Sequence, residues 1–499
     1  MLKQQMSFYR TGLGEDKMII DEIGFFEWEG EDSEKAAPGH LTIEDNGKIQ
    51  LEMLAKLPGD AVFPDIFSWT PVENKTIRGV LKQTGRTVLL TELKARAGYL
   101  GQEIFYNLIA VRCFVADDPI ALDKLVGLSL PLHDLEEWYL AGNINMSEQS
   151  EDIWSLTVGK KQDISWSLTQ GALSLKNHIT GSYPHNRSQN VNVTLGASFE
   201  YVHHEVTTLE VLLNWLKGFQ EFISLMINAT YAFKWPEFLW AEGSETLHAK
   251  CYFSWSSLSE DDVTTGKYAL SFEQIKARFG VLLDTWLLKR AVLGPGIHLY
   301  LGTVRNRHLY LEHQFVNMVW GLEALSRRSE LSSAKEVPDK QAAKGLRILA
   351  EIEDKVTFNS KDKRWLCSRL TRATELPLEE RLYDVLLPVA FDIDPDRLRK
   401  FCTKCAGLRN DLSHYGGERS PGDYDAFIQD IHPRMKALRQ LYRLIIFNII
   451  GVEHSLLRWS MYDSRQSLEF LHWLTVAGLI SQEVFKTLTG SKSSPSAEE

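Results

Sequence analysis

From about residue 303 to residue 452 apolar side chains recur every three or four positions almost without a break. Up to about residue 200 they come instead in short runs separated by turn residues. A period near 3.6 places side chains on one face of a helix and a period of two on one face of a strand, so one pattern cannot serve both. The change of period therefore predicts two cores: a β-rich N-terminal region followed by an all-α bundle, an α+β multidomain chain. At 499 residues and 44% hydrophobic content, the chain exceeds the size at which one core stops growing. The same composition excludes disordered, collagen-like and fibrous classes.

In the first region, Leu41-Thr42-Ile43 and Ile49-Gln50-Leu51 flank Asp45-Asn46-Gly47. Asn-Gly tolerates the positive φ of a tight turn, which makes this the clearest hairpin signal. Gly24-Phe25-Phe26 and Trp28 open an aromatic segment, and Ile77 to Leu81, Thr87 to Leu90 and Ile104 to Phe114 read as further strands. A short helix is expected at 132–140. Leu209, Leu212, Leu216, Phe219 and Ile223 predict a longer one that Thr207 or Thr208 can cap. Residues 252–272 read as extended or irregular. Ile275, Phe279, Leu282, Trp286 and Leu293 predict another helix, stopped by Gly294-Pro295-Gly296.

Beyond residue 303, Phe315, Met318, Leu322 and Leu325 form one helical stripe, and 329–340 reads as a loop. Helices are expected at 341–353, 361–373, 377–390 and 394–415. Asp394-Pro395 starts the last, a carboxylate cap followed by a proline whose missing N–H costs nothing there, and Gly416-Gly417 stops it. A long helix over 423–452 carries Pro433, which should kink it. The predicted domains are 1–200 (β-rich), 201–300 (mixed helical connector), 301–455 (helical domain) and 456–499, where an amphipathic helix over 468–479 precedes a disordered tail.

Several function classes drop out. No Walker A, dinucleotide glycine fingerprint or nucleophile elbow occurs, so no cofactor is expected. Cys402-Thr403-Lys404-Cys405 has no second CxxC and lies on an apolar face, which favours core packing over zinc or redox chemistry, and His203-His204 lacks companions at ligand spacing. Five cysteines make no disulfide framework, the opening MLKQQMSFYR has no signal-peptide core, and the run Leu444 to Val452 is too short to span a bilayer. A cytoplasmic protein without a membrane partner is expected. Net charge is −11, yet residues 301–450 carry 25 basic and 21 acidic residues, a mild excess where a polyanion would bind.

The segment richest in chemistry is Leu408-Arg409-Asn410-Asp411-Leu412-Ser413-His414-Tyr415-Gly416-Gly417. At 100° per residue, Leu398, Phe401, Cys402, Cys405, Leu408 and Leu412 make one apolar face. Arg409 falls inside it, where a guanidinium is costly unless paired, with Glu323 or Asp384 as candidate partners. Asn410 and His414 share the opposite face, and His414 sits at the helix C-terminus, where the dipole favours positive charge. Arg409 and His414 lie about 140° apart on an ideal helix, so they do not converge unaided. With 14 histidines, about one arginine at any given offset is expected by chance, so the setting carries the weight. Two rival spacings, Arg307 to His313 and Arg465 to His472, lack both the asparagine and the Gly-Gly stop.

Arg409, Asn410 and His414, four residues separating the arginine from the histidine, resemble the signature of the HEPN superfamily of ribonucleases. The whole chain resembles its ApeA-like group, on the strength of that motif, Gly24-Phe25-Phe26-x-Trp28, Gly39-x-Leu41 and the 315–325 stretch FVNMVWGLEAL. The resemblance implies a HEPN helical domain over 301–455 that cleaves RNA without metal in anti-phage (abortive infection) defence. It implies that His414 moves the proton, Arg409 neutralises phosphoryl charge and Asn410 orients the phosphate or the imidazole. Glu323 is a weaker candidate, as the partner of Arg409. Implied partners are RNA, with tRNA one candidate, a phage-derived trigger, and a second copy of the chain in a homodimer or higher oligomer that would close the angular gap. Two alternatives stand: a HEPN-like module that binds RNA or protein without cutting, and a purely structural scaffold.

Overall fold

The computed structural model describes residues 18–490 except 31–35, 56, 58–68, 74, 101–102, 134, 136–137, 140–141, 151–152, 183–191, 255–267, 307, 329–343, 345–346, 349, 353–354, 356–358, 363, 366–375, 418–422 and 465. Two units separate: Met1–Gln220 with Tyr231–Val263, and Glu221–Thr230 with Thr264–Glu499.

In the first unit, thirteen of the fifteen described strands join one antiparallel sheet. β1 (Met18–Trp28), β2 (Ala37–Glu44) and β3 (Ile49–Met53) run as a meander, and β5 (Ile77–Leu81) lies on the far side of β1. β4 is the short pair Thr70–Pro71. β6 (Thr87–Leu100) and β7 (Glu103–Ala116) form a long hairpin. One edge of β7 takes β6 along its length while Ala110 to Asn107 pair with β3, so β1-β2-β3-β7-β6-β5 closes on itself as a six-stranded barrel. Closure follows the side-chain period. β2 alternates buried and half-buried residues throughout, and Phe26, Leu41, Ile43, Ile77 and Val88 fill the interior with no exposure.

The predicted turn between β2 and β3 is present. Gly47 adopts φ +78°, its N–H donates to Glu44 O at 2.9 Å, and Lys48 N–H donates to Asn46 Oδ1 at 2.8 Å. A Cβ on Gly47 would also overlap the Phe253 carbonyl, so two constraints demand glycine.

From the other part of β7 the sheet continues through β15 (Glu245–Phe253), β14 (Glu237–Glu242), β8 (Leu125–Pro131), β13 (Asn192–Thr207), β12 (Gly171–Ser182) and β11 (Ile164–Leu168). β9 (Gly142–Ser150) and β10 (Ile153–Lys160) pair separately. Helix α1 (Leu209–Ile227) lays Trp215 flat on Tyr201, centroids 3.9 Å apart, and Phe219 edge-on to Phe199 at 5.0 Å. The short helix expected at 132–140 lies partly outside the described residues, and those described there are not helical.

The second unit is helical. After α2 (Phe272–Ile275) come α3 (Phe279–Leu293), α4 (Pro295–Arg305), α5 (Leu311–Arg328), α6 (Leu378–Leu386), α7 (Pro395–Tyr415), α8 (Tyr424–Ile450), α9 (His454–Tyr462), α10 (Ser467–Val476) and α11 (Gln482–Gly490). Gly294 at φ +47° ends α3 as expected, but Pro295 then sits at the first turn of α4, so the stop signal is also a start. The helices expected at 341–353 and 361–373 fall largely outside the described residues, where 350–352 and 360–362 are helical. The 329–340 loop and the tail beyond Gly490 lie outside them altogether.

The spine is α8, which runs through Pro433 and buries Ile431, Leu438, Leu441, Tyr442 and Phe447 completely. Gly321 lets α5 approach it closely, because a Cβ there would overlap the Tyr442 ring and hydroxyl. The α1 residue Glu221, 1% exposed, accepts from Arg290 Nε at 3.0 Å, and Arg290 Nη2 lies 2.7 Å from the same oxygen.

Arg443 on α8 is 3% exposed, and its Nη2 donates to Gln440 Oε1 at 2.5 Å. Its Nε and Nη1 find no partner among the described residues, and burial pushes its pKa down to about 10. A buried guanidinium without a carboxylate costs stability while it is charged, so Arg443→Met should be neutral or stabilising by ~1–4 kcal/mol. Thermal melting of the full chain checks this, and a clear drop in Tm would contradict it.

Candidate functional site

The site is organised by the ends of α7. Asp394 caps its start, accepting from Asp396 N–H at 3.1 Å and Arg397 N–H at 3.0 Å, with Pro395 at the first position. Gly416 ends it at φ +76°, its N–H donating to Leu412 O at 3.2 Å. Leu398, Phe401, Cys402, Cys405 and Leu408 are buried against the bundle, which fixes the rotation of the helix. His414 is left in the exposed last turn, with no hydrogen bond or ion pair among the described residues.

Arg409, on the inward stripe, is paired. Its Nη2 lies 3.3 Å from Glu323 Oε2 on α5, and its Nη1 donates to Asn410 Oδ1 at 3.0 Å. Of the two partners that the sequence offered, Glu323 is the one that pairs. The arginine's Nε is buried without a hydrogen-bond partner among the described residues. Glu323 serves two more guanidiniums: Arg381 Nη1 on α6 donates to Oε1 at 2.9 Å, and Arg327 Nη2, one turn along α5, at 3.2 Å. The side chains of Glu323, Arg381 and Arg409 are 19%, 13% and 23% exposed, so the cluster is neither sealed nor freely solvated.

Three guanidiniums around one carboxylate carry a formal excess of positive charge. The carboxylate holds the forks in place, and planar guanidinium forks gathered in this way match the geometry of a phosphate. Asn410 points its amide oxygen at Arg409, so it steadies the guanidinium within this chain and does not bond His414. Arg409 and His414 are brought to one end of one helix. The ideal helix still separates them by about 140° and about 7.5 Å of rise.

Arg381 and Arg327 are the members that sequence reasoning missed. Arg327 carries a local signal, an i,i+4 spacing from Glu323. Arg381 carries none, because it reaches Glu323 from a helix 58 residues away. The rival arginines, Arg307 and Arg465, lie outside the described residues.

Cys402 and Cys405 are 1% and 0% exposed. Burial pushes both thiols up, Cys405 to about 12, which suppresses the thiolate that metal or redox chemistry needs. Among the described residues no three His, Cys, Asp or Glu side chains cluster as a metal site, and no helix is long and apolar enough to cross a membrane.

No curated protein and no solved structure matches the chain. The family model for Apea-like HEPN matches residues 316–456, a span that contains Glu323, Arg327, Arg381, Arg409, Asn410 and His414. That segment of the chain is an ApeA-like HEPN domain.

Proposed function

We propose that this chain is a metal-independent endoribonuclease of anti-phage defence, in which the HEPN domain cuts RNA and the β-rich region senses or regulates. One observation carries the reading. Within the HEPN domain, a guanidinium fixed by Glu323 and Asn410 shares a helix end with an exposed imidazole that has no protein partner among the described residues.

In the proposed reaction the ribose 2′-OH attacks the adjacent phosphorus and gives its proton to His414. Arg409, with Arg381 beside it, meets the charge that builds on the non-bridging oxygens. Asn410 holds the Arg409 fork. The P–O5′ bond breaks and the departing oxygen takes up a proton, giving a 2′,3′-cyclic phosphate and a 5′-OH. A second copy of the chain closes the angular gap between Arg409 and His414, so the acting form is a homodimer or higher oligomer. A phage-derived trigger releases the activity, and tRNA is one candidate substrate.

The rival reading is a HEPN-like module that binds RNA or protein without cutting. It is favoured by Arg409 being engaged by Glu323 within its own chain, with Nε enclosed. Expression of wild type and His414→Ala in phage-challenged cells, with total RNA sequenced for new 5′-OH ends, separates the two. Ends that appear with wild type alone support cleavage. Phage restriction with no new ends in either case supports the binding module.

A further inference from the structure

Trp320 lies on the outward face of α5 with 43% of its surface exposed, whereas Trp240 and Trp286 are fully buried. No ring contact or hydrogen bond engages its indole among the described residues. It precedes Glu323 by three positions, about 60° around the helix and about 4.5 Å along it. It precedes Arg327 by seven, which returns nearly to the same line. The indole therefore stands beside the carboxylate that gathers Arg327, Arg381 and Arg409.

Its exposed or half-exposed neighbours on that face are His313, Asn317 and Arg327, which are polar, and Ala324, which offers a single methyl group. A protein-docking site would present a contiguous apolar patch around the tryptophan, and none is present on this face of α5. A lone aromatic plate among guanidiniums matches the other kind of partner, a nucleotide with a flat base and an anionic phosphate.

We propose that Trp320 is a stacking platform that seats an unpaired base of single-stranded RNA beside the phosphate met by Arg409. The inference rests on the RNA-directed reading of this domain and adds a positioning residue and a substrate preference. Bases in a duplex are already stacked and cannot reach the indole, so single-stranded segments are selected over paired ones.

The test compares Trp320→Ala, Trp320→Leu and Trp320→Phe in the full chain on a short single-stranded RNA, with binding followed separately in the His414→Ala background. Alanine and leucine should each raise KM by about 5- to 150-fold with much less change in kcat, while phenylalanine stays within a few-fold of wild type. A scan of single abasic positions should find one that impairs wild type but not Trp320→Ala, which has no stack left to lose. Sedimentation should be the same for all variants.

The proposal is overturned if alanine leaves KM unchanged, if leucine performs like phenylalanine, or if no abasic position distinguishes wild type from alanine. A change in oligomeric state on Trp320→Ala would also overturn it, by making Trp320 a protein contact. Should wild type cut no RNA while the His414→Ala background still binds it with the same dependence on Trp320, stacking stands and the cleavage reading fails. Should neither bind nor cut, both fail.

Discussion

His414→Ala should slow RNA cleavage by about 10²–10⁴-fold, the range that a positioned proton-transfer group supplies. The imidazole is exposed and makes no hydrogen bond among the described residues, so its loss should leave the melting temperature where it was. Arg409→Ala should cost a comparable factor for a different reason, the loss of charge opposite the phosphoryl oxygens. Folding should survive that change too, because Glu323 keeps Arg381 at 2.9 Å and Arg327 at 3.2 Å. Arg409→Lys sharpens the test: it retains the charge but not the fork that spans Glu323 and Asn410, so it should also be slow. Rates on one RNA, with melting curves for each variant, decide the matter. Near wild-type cleavage in either alanine variant would remove that residue from the proposed reaction.

The largest stability effect is expected from Glu221→Ala. Glu221 is 1% exposed, neutralises Arg290 at 2.7 Å and has Arg305 at 3.5 Å. Removing the carboxylate takes away the charge that Glu221 sets against the buried Arg290, a change that costs about 3–5 kcal/mol. The double change Glu221→Leu with Arg290→Met removes both charges and keeps the volume, so most of that loss should be recovered. Chemical denaturation of the single and double variants measures the difference. Equal destabilisation by both would mean that packing of the side-chain stems, and not charge balance, sets the cost.

What could be read from the sequence was local. The Asp45-Asn46-Gly47 turn, the strand Ile77–Leu81 and both ends of α7 are written in residues adjacent to the feature they make. Barrel closure is not, since it depends on β1 meeting β5 and β3 meeting β7 across long stretches of chain. Nor is the return of Glu237–Glu242 and Glu245–Phe253 to the sheet after a 19-residue helix, because what makes them strands is the free edges of β8 and β7 that they find. Pro295 shows how one residue carries two meanings: it ends one helix pattern and opens the next.

The candidate site divides in the same way. Helical periodicity placed Arg409 on an apolar stripe, and the cost of burying a lone guanidinium required a partner. The identity of that partner, and the presence of Arg381 beside it, come from the packing of α5 and α6 against α7. Of the N-terminal residues behind the resemblance, Phe26, Trp28 and Leu41 are 0%, 5% and 0% exposed and serve packing, whereas Phe25 is 50% exposed.

The most direct measurement is the chemistry of the cut ends. The full chain is stripped of divalent metal by chelator and incubated with a defined RNA, and the products are weighed by mass spectrometry beside those from His414→Ala. The expected result is paired 2′,3′-cyclic phosphate and 5′-OH termini from wild type and intact RNA from the variant. Termini carrying 5′-phosphate, or the same cyclic termini produced equally well without His414, would contradict it.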